Sequence, residues 1–206
     1  MDSIKFLIEC YFGDIRNPII SAIDKAYFDM QTHTLSGDKE KELFPKRKEI
    51  TELLYSAVIA LPNQQEFDKW HRWTADDIKK NYPKLTYGQI QKWINMTLKY
   101  VYTLKQAGID EIDDYFNDEN AKKFHAPIDS YVLHSLKMDD IAWSKISSYD
   151  KYLKIQSKIS FEEEYDDWSE FARQAQLLSS GKEKKADKGT YKRYLQEHPY
   201  NSNIGC

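Results

Sequence analysis

The stretch "QKWINMTLKY" (residues 91–100) decides how the chain folds. It continues an apolar series, Ile90, Trp93, Ile94, Thr97, Leu98, Val101 and Leu104, at three- and four-residue spacing. At about 100° per residue these positions fall within about 80° of a common centre, which describes an amphipathic helix. Thr86 is placed to cap it, with Gln89 three residues on reaching back to complete a capping box. Lys92 and Lys99, seven apart, project together on the far side, with Asn95 beside them. The spacing predicts a solvated face for both lysines.

Outward from this segment the same period recurs. "NPIISAIDKAYFDM" (17–30) opens on Asn17 as a cap and Pro18 in the first turn, and carries Ile19, Ile20, Ile23, Ala26, Tyr27 and Met30 along one face. "RKEITELLYSAVIAL" (47–61) predicts a second amphipathic helix stopped by Pro62, after a polar, loose connection over 32–46. Thr74 with Asp77 predicts a helix start for 74–82. Ser160 with Glu163 predicts another for 160–178, with Trp168, Phe171, Ala172, Ala175 and Leu178 on its apolar side. No alternating stretch of useful length competes, and only seven glycines and six prolines interrupt the pattern. The expectation is an all-α protein of about eight to ten helices. One domain covers residues 1–178, and the lysine-rich stretch 179–206 is either a loosely docked tail or a basic arm for phosphate.

With 206 residues, 41% hydrophobic and 31% charged, the chain has the make-up of a soluble globular protein with a real core. Its longest apolar runs, such as "SAVIAL" (56–61), are too short to cross a bilayer. No charged-then-apolar leader opens the chain, so the cytoplasm is the expected location. Cys10 and Cys206 sit near opposite ends and predict no disulfide framework. His33, His71, His125, His134 and His198 form no close ligand pair, and no P-loop or Gly-rich dinucleotide turn is present. Neither a metal nor a cofactor is expected. "EEEYDD" (162–167) reads as a solvated helix start. A net charge of −3 gives no global sign of nucleic acid. DNA binding needs a local patch, for which Lys79, Lys80, Lys84, Lys92, Lys99 and the tail lysines are candidates.

A second segment, "FHAPIDSYVLHSL" (124–136), sets Pro127 before Ile128 and Asp129 and then runs on with helical spacing. Asp129 is placed as the N-cap of that helix, where backbone amides hold a carboxylate ionised and fixed. Gly88 stands four residues before Lys92. Together, "QKWINMTLK" (91–99) and "HAPID" (125–129) resemble the helix-hairpin-helix DNA glycosylases, and within them the archaeal branch of the 8-oxoguanine glycosylases. That branch has a Gln-Lys helix start, a second lysine seven residues on, and a proline element ending in aspartate. The resemblance covers residues 50–136 and is sharp at 85–100 and 124–133. It implies two helical lobes around a cleft, Lys92 and Asp129 as catalytic residues, and contacts to DNA or the base from Gly88, Gln89, Gln91, Asn95, Lys99 and His125. Two departures stand out. "LTYGQI" (85–90) puts Ile90 where the family has a second hairpin glycine. Lys92 and Asp129 lie 37 positions apart, longer than in common members, and the excess includes the acidic "GIDEIDDYFNDEN" (108–120). That segment is expected to fold away from DNA or to act as a gate.

The implied activity is excision of a damaged or modified purine such as 8-oxoguanine, followed by strand scission. Breaking the bond at C1′ gives the sugar oxocarbenium character, which a fixed carboxylate stabilises. A neutral amine can attack C1′, displace the base and form a Schiff base. Asp129 and Lys92 take these roles, with Lys99 as helper. The target base is flipped out of the duplex, and Trp70, Trp73, Trp143 and Tyr131 are the aromatics available to receive it. The expected partner is double-stranded or flipped-base DNA, the expected state a monomer, and no membrane is involved. A second reading keeps the scaffold without the chemistry, as a binding protein that senses nucleic acid or a protein partner. Geometry separates them: the heads of Lys92 and Asp129 together in an open cleft favour the enzyme, and Lys92 in bulk solvent favours the binder.

Overall fold

A computed structural model describes residues 3–31 and 38–166. In chain order the helices are α1 (Ser3–Phe12), α2 (Pro18–Gln31), α3 (Asp38–Ala60), α4 (Phe67–Asn81), α5 (Tyr87–Gln106), α6 (Asp118–Ala121), α7 (Ser130–Ser135), α8 (Tyr149–Gln156) and α9 (Phe161–Asp166). Short 3-10 turns occupy Leu61–Asn63 and Trp143–Lys145, and no strand is present among the described residues, so the architecture is all-α. The chain divides into a compact unit Met1–Glu164 and a second unit Tyr165–Cys206. The connection 32–37, the apolar positions from Trp168 to Leu178 and the basic stretch 179–206 lie outside the described residues. No helix among the described residues is long and apolar enough to cross a membrane.

Helix α5 is the centre. The Thr86 hydroxyl oxygen accepts from the Gln89 N–H at 3.2 Å, and the Gln89 side-chain oxygen accepts from the Thr86 N–H at 3.0 Å, so the capping box forms as its sequence predicts. At the other end Gly108 takes φ 84° and turns the chain out. Its N–H reaches the Lys105 carbonyl at 3.0 Å and the Ile109 N–H reaches the Leu104 carbonyl at 3.1 Å, the double closure of a Schellman motif. A side chain would strain that left-handed position. Helix α2 lies against α5 with Ile23, Ala26, Tyr27 and Met30 buried, while Ile20 sits half-buried at the margin. Trp93 of α5 is fully enclosed, and its indole N–H donates to the Ile23 carbonyl at 3.1 Å.

Helix α4 precedes α5 across the turn 82–86, forming a helical hairpin in which Tyr82 and Leu85 are buried. Lys79 Nζ donates to the carbonyls of Pro83 at 2.6 Å and Leu85 at 2.5 Å, so this lysine staples the turn. Helix α3 packs on α2 and α4, and α8 packs on α5. The turn Trp143–Lys145 also packs on α5.

Three expectations are corrected. Lys92 and Lys99 are 5% and 8% exposed, so the solvated face does not exist. A central helix carries the same apolar stripe as a surface helix, but its remaining faces meet polar partners instead of water. Helix α4 begins at Phe67, and Thr74 is a buried mid-helix residue on the face formed by Phe67, Trp70, His71 and Ile78. Helix α3 begins at Asp38, so most of the expected loose connection is helical; fully buried Leu43 anchors its leading turns, and Pro45 sits inside it.

The acidic segment folds onto the C-terminal end of α5. Ile112 and Phe116 are buried, and Lys105 Nζ donates to the Ile112 carbonyl at 2.8 Å and pairs with Asp114 at 2.6 Å. Gln106 stands fourteen positions beyond Lys92 along the helix, about 21 Å at 1.5 Å per residue.

Candidate active site

Asp129 caps α7. One carboxylate oxygen accepts from the Tyr131 N–H at 2.9 Å and the Val132 N–H at 3.2 Å. The other oxygen accepts from Lys92 Nζ at 3.4 Å. Pro127 disfavours helix at Ala126, and Asp129 itself is extended at the cap position. Lys92 Nζ also lies over the Trp143 indole, 4.7 Å from the ring centroid. The lysine and aspartate side chains are only 6% and 11% exposed. The sequence therefore brings the two residues together from 37 positions apart, into a closed site instead of an open cleft.

A glutamine fixes the strap that carries Asp129. The Gln91 amide nitrogen donates to the Ile128 carbonyl at 2.7 Å, and its oxygen accepts from the Ile128 N–H at 3.0 Å. Asn95, one turn along α5, donates to the Ala126 carbonyl at 3.0 Å. Asn95 is held in turn by His71, whose Nε2 lies 2.8 Å from the Asn95 oxygen, while Nδ1 lies 2.7 Å from the Tyr149 hydroxyl. His125 Nε2 lies 2.9 Å from the Asp68 carboxylate, so it donates there, and Nδ1 accepts from the Tyr152 hydroxyl at 2.7 Å. The Tyr152 oxygen then accepts from Asn95 at 3.0 Å. Burial pushes the proton affinity of both imidazoles down, most strongly for His71, where the neighbouring His125 adds to the effect. The two rings, far apart in sequence, lie 4.6 Å apart centre to centre, a proximity invisible in the spacing of histidines.

A second ion pair lies further along α5. Lys99 Nζ donates to both oxygens of Glu164, at 2.6 and 2.8 Å, with the side chains 10% and 3% exposed. Burial raises the Glu164 proton affinity and the Asp129 charge adds to it, while Lys99 and Lys92 oppose. Two lysines and two carboxylates thus form one electrostatically coupled cluster. Glu164 is the residue that the reading of "EEEYDD" as a solvated start missed. The capping box of Ser160 and Glu163 forms, at 2.8 and 3.1 Å, but Glu164 points inward beside buried Phe161. The available signal was its helical spacing, three residues after Phe161 and four before Trp168.

The remaining residues named from the sequence have roles inside the protein. Gly88 is buried, and its N–H donates to the Ile146 carbonyl at 3.1 Å. A Cβ added there would stand 1.8 Å from the Trp143 carbonyl oxygen, so this glycine admits the Trp143–Lys145 turn. Gln89 makes the capping box, and Gln91, Asn95 and His125 make the strap network. Of the four aromatics, Trp143 covers Lys92, Trp70 is core, Tyr131 is half-buried and Trp73 is 64% exposed.

This is a site in which a primary amine is held against a fixed carboxylate away from bulk water. Compared with known proteins, the chain matches no family model, no curated protein and no solved structure.

Proposed function

We propose that the Lys92–Asp129 pair excises a damaged or modified purine, of the 8-oxoguanine type, from DNA through a lysine Schiff base. The observation that carries this reading is the 3.4 Å contact between a nearly buried amine and a carboxylate locked by two backbone amides. On this reading Asp129 stabilises positive charge developing on the sugar. Lys92 gives up its ammonium proton and bonds to C1′ through the freed lone pair as the bond to the base breaks; the base departs with the electron pair and takes up that proton. Ring opening, in which O4′ leaves with a proton, yields the Schiff base, and loss of a C2′ proton then expels the 3′-phosphate. The α4–α5 hairpin is the glycosylase-like element, and a flipped base enters by displacing the Trp143 indole from above Lys92.

The test is borohydride trapping over a panel of damaged duplexes. Parent protein forms a covalent adduct, Lys92→Gln forms none, and Lys99→Gln still traps at reduced rate. An adduct that persists in Lys92→Gln and vanishes in Lys99→Gln reverses the assignment.

A second reading, a binding protein without the chemistry, is favoured by one feature. The Gly88 amide is taken by Ile146, so the hairpin does not offer that donor to a phosphate. Absence of any trapped adduct in the parent decides for it.

A further inference from the structure

Many lysines of this chain stand beside a carboxylate, as Lys25 does with Asp29, Lys69 with Glu66 and Lys122 with Glu119. Four that have no carboxylate partner among the described residues, Lys145, Lys151, Lys154 and Lys158, line one groove of about 790 Å³. All four are exposed. Among the described residues of its lining the one acid is Asp140. Lys151 and Lys154 stand on α8 and Lys158 two residues past its end, at the i, i+3, i+7 spacing of one helix side. Lys145 comes from the separate Trp143–Lys145 turn. Two elements therefore converge four ammoniums on one concavity, and their mutual repulsion in the free protein favours a polyanion there.

We propose that this groove holds a sugar–phosphate strand of DNA. The spacing from Lys151 to Lys158 corresponds to about 10 Å of helical rise, against one phosphate per 3.4 Å of rise along one strand, which brings about three phosphates into reach. The apolar floor, made by Ile141, Ile146 and Ile155, suits the C–H faces of deoxyribose. Position argues for the same occupant: Ile146 both lines the groove and accepts from the Gly88 amide at the start of α5. The adjoining Trp143 covers Lys92. One short segment is thus the wall of the groove and the cover of the candidate amine. The assignment rests on the reading that Lys92 acts on DNA. Of the patch expected from sequence, Lys79 staples a turn and Lys92 and Lys99 are paired inside, Lys80 and Lys84 are exposed, and the tail lysines lie outside the described residues.

The experiment compares the parent, a variant with Lys145, Lys151, Lys154 and Lys158 all changed to Gln, and the same four changed to Arg. Fluorescence anisotropy reads the affinity for an undamaged duplex as salt is varied. Each lost phosphate contact removes about 0.9 from the slope of log affinity against log salt, so the Gln variant loses about 3. Its affinity falls at least tenfold at low salt, while the Arg variant keeps the parent slope. An unchanged melting temperature shows that the Gln variant is folded. A parent slope and affinity in the folded Gln variant overturn the proposal. So does a groove that binds poly-glutamate or anionic vesicles through these lysines while the parent ignores duplex DNA. Lysine-dependent duplex binding without borohydride trapping sinks the Lys92 chemistry and leaves the groove standing.

Discussion

At the scale of the residue, Asp129 does two jobs with its two oxygens: one caps α7 and the other faces Lys92. Asp129→Asn separates them. An amide oxygen still accepts from Tyr131 and Val132, but the Lys92 ammonium then faces a neutral group in a site closed to water. Read from sequence, with Lys92 solvated, the substitution changes stability little. With Lys92 buried, breaking the pair costs about 3–5 kcal/mol. The urea midpoint of Asp129→Asn is expected to fall with the slope unchanged, and excision to fall by orders of magnitude. A stability change within about 0.5 kcal/mol, the usual range for surface substitutions, is the outcome that contradicts a closed site.

At the scale of the element, the ends of helices were more legible than their surroundings. Asn17, Thr86, Asp129 and Ser160 all accept backbone N–H groups at the helix starts their side chains predict, because capping is decided within three residues. Thr74 shows the limit: the same chemistry is present, but the face formed by Phe67, Trp70 and His71 carries the helix straight through it. The burial of Lys92 and Lys99 was illegible because it depends on partners 37 and 65 positions away. Gly88 was legible only through its spacing from Lys92; the Trp143 backbone that occupies the room left by its missing Cβ comes from 55 positions away. Gly88→Ala forces the Trp143–Lys145 turn away from α5, since backbone and not a flexible side chain blocks the methyl. The expected loss is about 1–3 kcal/mol in urea denaturation, the range for overpacking. Because Trp143 rides on that turn, its indole also leaves Lys92. Unchanged stability together with unchanged tryptophan emission would contradict the contact.

At the scale of the whole molecule, the interior carries a pH dependence. His71 and His125 are held with proton affinity below the ordinary value of 6.5, each chiefly by burial. The unfolded chain therefore takes up protons that the folded one refuses. Stability is full above pH 6.5 and is lost as pH falls below it. The groups facing the rings, Asn95, Tyr149, Tyr152 and Asp68, include one carboxylate, which opposes the shift at His125 alone. Glu164 runs the other way. Its folded proton affinity is raised above 4.5, so its contribution is present below pH 4.5 and lost as pH rises through the raised value. The melting temperature is expected to drop between pH 7 and pH 5 by calorimetry, less steeply in His125→Gln. A flat parent profile over that range is incompatible with two buried neutral imidazoles.

Among the described residues there is no strand, yet the Gln91 amide offers Ile128 one donor and one acceptor, as a neighbouring strand would. The register of the Asp129 strap is thereby set at its own position, by a side chain one residue before Lys92, and not by the length of chain leading to it. Doubling such a connection costs only about 0.6 kcal/mol in closure entropy. The long acidic excursion between the two site residues is therefore moored on its own account, by Ile112 and Phe116, and is not the ruler that measures the distance from amine to carboxylate.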